Sequence, residues 1–177
     1  MNEAIVSLKA ALKLLRFDAT GVDDFNATPQ GFWHSFRAMA LVLPLFMVLL
    51  ASHDSGDKDF VTWIGAVLVY VISWLLFPLV MSYIADNMGA GKNYIRFIVA
   101  YNWSSVWQNL VYLPVAILTG MGIVPPEITF FALVFVLVYS WFVARTALDI
   151  STGSAIGIVV LDFLLGIFIQ VAPGKFL

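Results

Sequence analysis

Apolar residues run along the chain in five long blocks separated by short polar breaks, a pattern that belongs to neither an amphipathic helix nor a half-buried strand. The blocks extend from about Phe32 to Ala51, Phe60 to Ala85, Tyr94 to Leu118, Ile128 to Leu148 and Ala155 to Ala172. Each comes close to the ~20 residues that a helix needs to cross a bilayer. The breaks are Ser52 to Asp59, Asp86 to Asn93 with two glycines, Thr119 to Glu127 with Pro125 and Pro126, and Asp149 to Ser154. The pattern predicts an all-α polytopic membrane bundle of five transmembrane helices over residues 32–177. Pro44, Pro78 and Pro114 fall inside the first three spans and should kink them.

Residues 1–31 read differently. At 100° per residue Lys9, Lys13 and Arg16 share one face, while Ala4, Leu8, Ala11, Leu12 and Leu15 share the other. Lysines interrupt the apolar run too often for a secretory signal. This predicts an amphipathic interfacial helix lying flat on the inner leaflet, serving either as a sensor or partner-binding element or as an anchor under the bundle. Phe17 to Gly31, with Asp18, Gly21, Asp23, Asp24, Asn26 and Pro29, reads as a turn-rich connector.

Composition supports a membrane protein. Of 177 residues 62% are hydrophobic and 11% charged, which leaves too little polar surface for a soluble domain. The absence of cysteine excludes disulfides and thiolate chemistry. Nine basic residues without a block make no nucleic-acid footprint. Their placement does carry information: Lys9, Lys13, Arg16, Arg37, Lys92, Arg96 and Arg145 fall on one side of the five spans, and only Lys58 and Lys175 on the other. Seven against two places the N-terminus inside, in the cytoplasm, and, with five spans, the C-terminus outside, in the periplasm or a lumen.

Asp162 is the most informative residue, because a carboxylate at the centre of a membrane helix costs roughly 2.5–3.5 kcal/mol on insertion scales. The third span is the most polar, with Asn102, Ser104, Ser105, Gln108 and Asn109, and is therefore expected to be the most enclosed. Tyr94, Tyr101, Asn102, Ser105, Asn109 and Tyr112 share one of its faces. At 1.5 Å per residue Asn102 and Asp162 lie roughly 12 Å from the inner ends of their spans, with Tyr139 and Ser140 near the same level. One buried polar layer of Asn102, Asn109, Tyr139, Ser140 and Asp162 is expected. It reads either as a solvated, proton-accepting pocket or as interhelical glue between the third and fifth spans, such pairs contributing about 0.6–2 kcal/mol.

Other signals are soft. His53, Asp54, Asp57 and Asp59 in the first outer loop offer oxygen ligands for a divalent cation, but their spacing matches no calcium loop and Lys58 sits among them. His34 beside Trp33 reads as an interfacial residue. No HExxH motif occurs, and no nucleophile shares membrane depth with a base. The chain is expected to have no enzymatic activity, no cofactor and no metal. Gly153-Ser-Ala-Ile-Gly157 is a small-xxx-small motif that can seat a helix of this chain or of a second copy.

With Gly89-Ala-Gly-Lys92-Asn-Tyr94 leading to Tyr101-Asn102 and Pro114, and Tyr139-Ser-Trp-Phe-Val-Ala-Arg145 leading to Ser154-Ala-Ile-Gly157, the stretch Phe32 to Val171 resembles the Yip-domain proteins. These are membrane proteins named for interacting with Ypt/Rab GTPases, with many bacterial relatives. The resemblance implies a cytoplasmic N-terminus, five helices and a non-enzymatic role in membrane organisation. Almost no cytosolic domain precedes the spans, unlike in eukaryotic members, so a bacterial member is the expectation. The residues lead to a scaffold or accessory subunit contacting membrane lipids and another membrane protein or itself. Lys9, Lys13, Arg16, Lys92, Arg96 and Arg145 would make the contacts. The alternative is a small channel or proton-linked transporter using Asp162.

Overall fold

The computed structural model describes residues 3–52 and 60–171 and is helical almost throughout them. Seven α-helices follow in order: α1 Glu3–Leu15, α2 Pro29–Ser35, α3 Arg37–Ser52, α4 Phe60–Asn87, α5 Tyr94–Gly120, α6 Pro126–Leu148 and α7 Thr152–Val171. The candidate cation loop, His53 to Asp59, and the tail with Lys175 lie outside the described residues.

Four segments are long and apolar enough to cross a membrane: Pro29–Ser52, which takes in α2 and α3, then Phe60–Asn87, Pro126–Leu148 and Thr152–Ile169. By length and composition this is a multi-pass membrane protein. The first expected span is divided at Phe36 into α2 and α3. The third expected span, α5, is 27 residues long yet is not among the four. Ser104, Ser105, Gln108 and Asn109 dilute its apolar residues. It occupies the axis of the bundle instead, with α1, α2, α3, α4 and α6 packed on it. From Phe97 to Val106 only Tyr101 is less than fully buried. Protein neighbours thus take up some of the polar groups that lipid could not, as Ser35 does for Asn102 and Ser140 for Gln108.

Local chemistry sets the helix ends. Thr28 Oγ1 accepts the Gly31 amide at 3.1 Å with Pro29 in the first turn of α2. Gly89, at φ 70°, turns the chain after α4 so that the Ala90 amide returns to Ala85 O at 2.9 Å. Asp149 takes the same left-handed conformation after α6, its amide returning to Arg145 O. Helices α3, α4 and α5 run on through Pro44, Pro78 and Pro114.

The N-terminal segment packs on the bundle through a face other than the apolar one read from the sequence. Ser7, Ala10, Ala11 and Leu14 of α1 are buried, and the last three join the same core as Phe97, Trp103 and Val143. The face so covered is turned by about one residue step, ~100°, from the Ala4, Leu8, Ala11, Leu12 and Leu15 face. The reason is size: serine and alanine let α1 approach α5 and α6 closely, which a leucine ridge would not. Trp107 Nε1 donates to Leu8 O at 3.0 Å and the Tyr139 hydroxyl to Ala11 O at 2.8 Å. The connector then folds back as a 3-10 turn, Ala19–Asp24, started by the Asp18 side chain accepting the Thr20 amide at 3.0 Å. Gly21 permits this: a Cβ there would stand 2.6 Å from Ala10 O and 2.9 Å from Lys13 Cβ. Residues 1–31 therefore belong to the bundle rather than to a separate surface element.

Candidate functional site

Asp162 stands halfway along α7, half-buried, between the exposed neighbours Val160, Phe163 and Leu164. Its two carboxylate oxygens share one donor, the Tyr101 hydroxyl of α5, at 2.9 and 3.0 Å. Phe77 of α4 holds the tyrosine in place, its ring centroid 4.4 Å from that of Tyr101. Around this pair α4, α5, α6 and α7 enclose a crevice of about 10 Å³, with Ser140 of α6 and Ile158 of α7 in its lining. No basic side chain is among the lining residues.

The single polar layer expected from depth is divided between two sides of the bundle. Ser140 and Asp162 meet at the crevice, and Gln108 Nε2 donates to Ser140 Oγ at 3.1 Å. Asn102 does not meet Asp162. Its Nδ2 donates to Ser35 Oγ at 2.8 Å, tying α5 to α2, and its buried Oδ1 has no hydrogen-bond partner. Tyr139 turns toward α1. Consecutive helical residues point ~100° apart, so Tyr101 and Asn102, at almost equal depth, serve different neighbours. Asn109 joins no second helix: its Nδ2 donates to Ser105 O at 2.7 Å within α5.

The expected contact residues divide as well. Lys9, Arg16 and Lys92 are exposed. Lys13 is engaged by Asp24 at 2.6 Å, which holds the ammonium above its ordinary range. Arg96 Nε donates to Ala147 O at 2.8 Å and thereby closes the end of α6. The Arg145 guanidinium stands 5.7 Å from the Trp141 ring centroid.

Sequence reasoning missed a cluster near the start of α1. Glu3 pairs with His34 Nδ1 at 2.5 Å and accepts from Asn26 Nδ2 at 2.8 Å. The hydrogen bond with His34, then that from Asn26, hold its carboxyl below the usual range. No spacing rule links positions 3, 26 and 34. Among the described residues no group of three or more His, Cys, Asp or Glu could hold a metal ion.

Two surface features complete the picture. A Cβ added at Gly153 or Gly157 would meet nothing within 4 Å, and both glycines are exposed, so among the described residues no helix is seated on the small-xxx-small motif. Where α5 ends and α6 begins lies an open groove of about 350 Å³, lined by Tyr112, Ala116, Pro126, Phe130 and the Thr119–Thr129 pair, whose hydroxyls are 2.7 Å apart. Comparison of the chain with protein-family models, with curated proteins and with solved structures returns no match.

Proposed function

We propose that this chain is a non-enzymatic membrane scaffold or accessory subunit, binding another membrane protein, a second copy of itself, or lipid. One observation carries the reading: the small-residue face of α7 at Gly153 and Gly157 is open, although such faces bring helices together in membranes. Helix α7 is also the least enclosed of the four apolar segments, with 11% of its apolar window buried against 17–22% in the others. Inside the bundle part of the polar chemistry is engaged between helices, Asn102 with Ser35 and Gln108 with Ser140. A carrier would need a passage for its solute, and the crevice beside Asp162 has room for about one water.

On this reading α5 is the fifth span, shielded from lipid by its neighbours. The lysine and arginine bias supports a cytoplasmic N-terminus and a periplasmic C-terminus, and the resemblance supports a bacterial inner membrane. Exposed Lys9, Arg16 and Lys92 then face the anionic inner leaflet. The resemblance to Yip-domain proteins agrees with a role in membrane organisation.

A photocrosslinking residue placed at exposed Val160, one turn from Gly157 on α7, with another at exposed Phe131 of α6 as control, tests the reading in native membranes. The expected result is a discrete protein or lipid adduct from position 160 and a weaker, diffuse one from 131. Equal or absent adducts at the two positions would overturn it.

A further inference from the structure

The carboxyl of Asp162 lacks a partner of opposite charge, and this is the least explained feature of the interior. An ionised carboxylate offers about four acceptor sites, and here one phenolic proton serves both oxygens. Tyr101 is the only other titratable group lining the crevice; Phe77, Phe97, Ser140, Ala144, Ile158 and Val159 make up the rest. Among the described residues Arg96 donates to Ala147 O and Arg145 stands beside Trp141, so neither serves the carboxyl. Intramembrane carboxylates are found with a pairing group or a route to water. No described lining residue supplies such a charge, which leaves that role to a bound cation.

The crevice has the size and chemistry for that. Its volume of about 10 Å³ matches the lower bound for one water-sized particle and excludes any organic solute. The Phe77 and Phe97 rings, 4.4 and 5.9 Å from Tyr101, wall it with hydrocarbon. Oxygen is available from three side chains: the carboxylate, the Tyr101 hydroxyl, and Ser140 Oγ, which accepts from Gln108 and so keeps its own proton to direct elsewhere. Asp162 is half-buried rather than sealed, amid the exposed apolar surface of α7.

We propose that Asp162, Tyr101 and Ser140 form a membrane-embedded site for one small monovalent cation, either a proton or a sodium ion, reached from the bilayer-facing side of α7. The site does not depend on the scaffold reading, since a binding subunit and a carrier could both contain it.

Lipophilic dicyclohexylcarbodiimide reacts with protonated carboxyl groups from within the membrane, and a water-soluble carbodiimide reports carboxyls that face water. On the full chain in detergent or liposomes, the expected result is one lipophilic adduct, mapped by mass spectrometry to the peptide holding Asp162 and lost in Asp162→Asn. Labelling should slow as pH rises. Sodium chloride at fixed pH, against potassium chloride, identifies the ligand: slowing by sodium alone assigns a sodium site, and equal rates assign a proton site. Tyr101→Phe and Ser140→Ala, which keep the carboxyl, should move the pH or sodium dependence several-fold, and Ser140→Ala, which removes no hydrogen bond to Asp162, separates loss of a site oxygen from loss of the tyrosine bond. The proposal is overturned if folded protein gives no lipophilic adduct at Asp162, if the water-soluble reagent labels Asp162 equally fast, or if both variants titrate like the wild type.

Discussion

The Tyr139 hydroxyl donates to the main-chain oxygen of Ala11 at 2.8 Å, a bond that joins α6 to the N-terminal helix across 128 positions of sequence. Ala11 O is also placed to accept its ordinary helical bond, so Tyr139→Phe removes one favourable contact without creating an unpaired carbonyl. A loss of about 0.5–1.5 kcal/mol is expected. Equilibrium unfolding in mixed micelles measures it, and an unchanged midpoint would show that α1 is held without this bond.

Ala11 itself gives the sharper test of where α1 lies. It is fully buried against the bundle, so Ala11→Leu forces extra volume into a packed contact and should cost about 1–3 kcal/mol. On a helix whose alanine face met lipid the same change would be neutral or favourable. Lys9→Gln, on the exposed face, serves as control and should fall within about 0.5 kcal/mol of the wild type.

The link between α2 and α5 rests on Ser35 and Asn102. Removing the serine hydroxyl leaves the Asn102 amide donor without its partner in a site where Oδ1 already has none. Ser35→Ala is therefore expected to destabilise by about 1–3 kcal/mol, the cost of an unsatisfied buried polar group. A double-mutant cycle with Asn102→Ala should recover part of that loss, because the stranded donor disappears with it.

These residues also mark how far the sequence could be read. The apolar runs announce α4, α6 and α7 because lipid imposes one requirement on every outward position. Helix α5 is legible as polar and enclosed for the same reason. What periodicity cannot supply is azimuth. Tyr101 and Asn102 lie at nearly one depth, and depth alone selected Asn102 as the partner of Asp162, whereas the ~100° between adjacent residues gives that role to Tyr101. In α1 the leucines suggest a lipid face, yet Ser7 and the two alanines make the buried one, since close helix contact selects for small size rather than apolarity. The meeting of Glu3, Asn26 and His34 depends on how the connector folds, and no local pattern encodes it.

The Glu3 cluster sets a dependence on pH at the N-terminal end of the bundle. Its carboxyl is held below the ordinary 4.5 by the hydrogen bond with His34 and then that from Asn26. A depressed folded value means that the contribution is complete above pH 4.5 and is lost as pH falls through the folded value below it. Lys13 behaves oppositely. Its ammonium is raised above 10.5 by Asp24, so that contribution is complete below 10.5 and lost as pH climbs through the folded value above it. The melting temperature should be insensitive to both groups between these limits. Glu3→Gln should remove part of the acid-side decline, and an identical acid limb in the variant would assign that decline to other groups.

Gly157 separates packing within the chain from packing between chains. Because a Cβ there meets nothing within 4 Å, Gly157→Leu adds no clash to the monomer. The replacement even removes a helix-interior glycine, which on its own costs about 1 kcal/mol relative to alanine. The isolated variant should therefore melt at or slightly above the wild-type temperature. Any association through the Gly153–Gly157 face should fail, because the leucine keeps a second helix from the close approach that small residues permit. Crosslinking yield in native membranes, read beside the melting temperature of the purified chain, tests both expectations. A stable variant with lost adducts would place the partner on α7, whereas a stable variant with undiminished adducts would move it to another face and remove the main support for α7 as the docking helix.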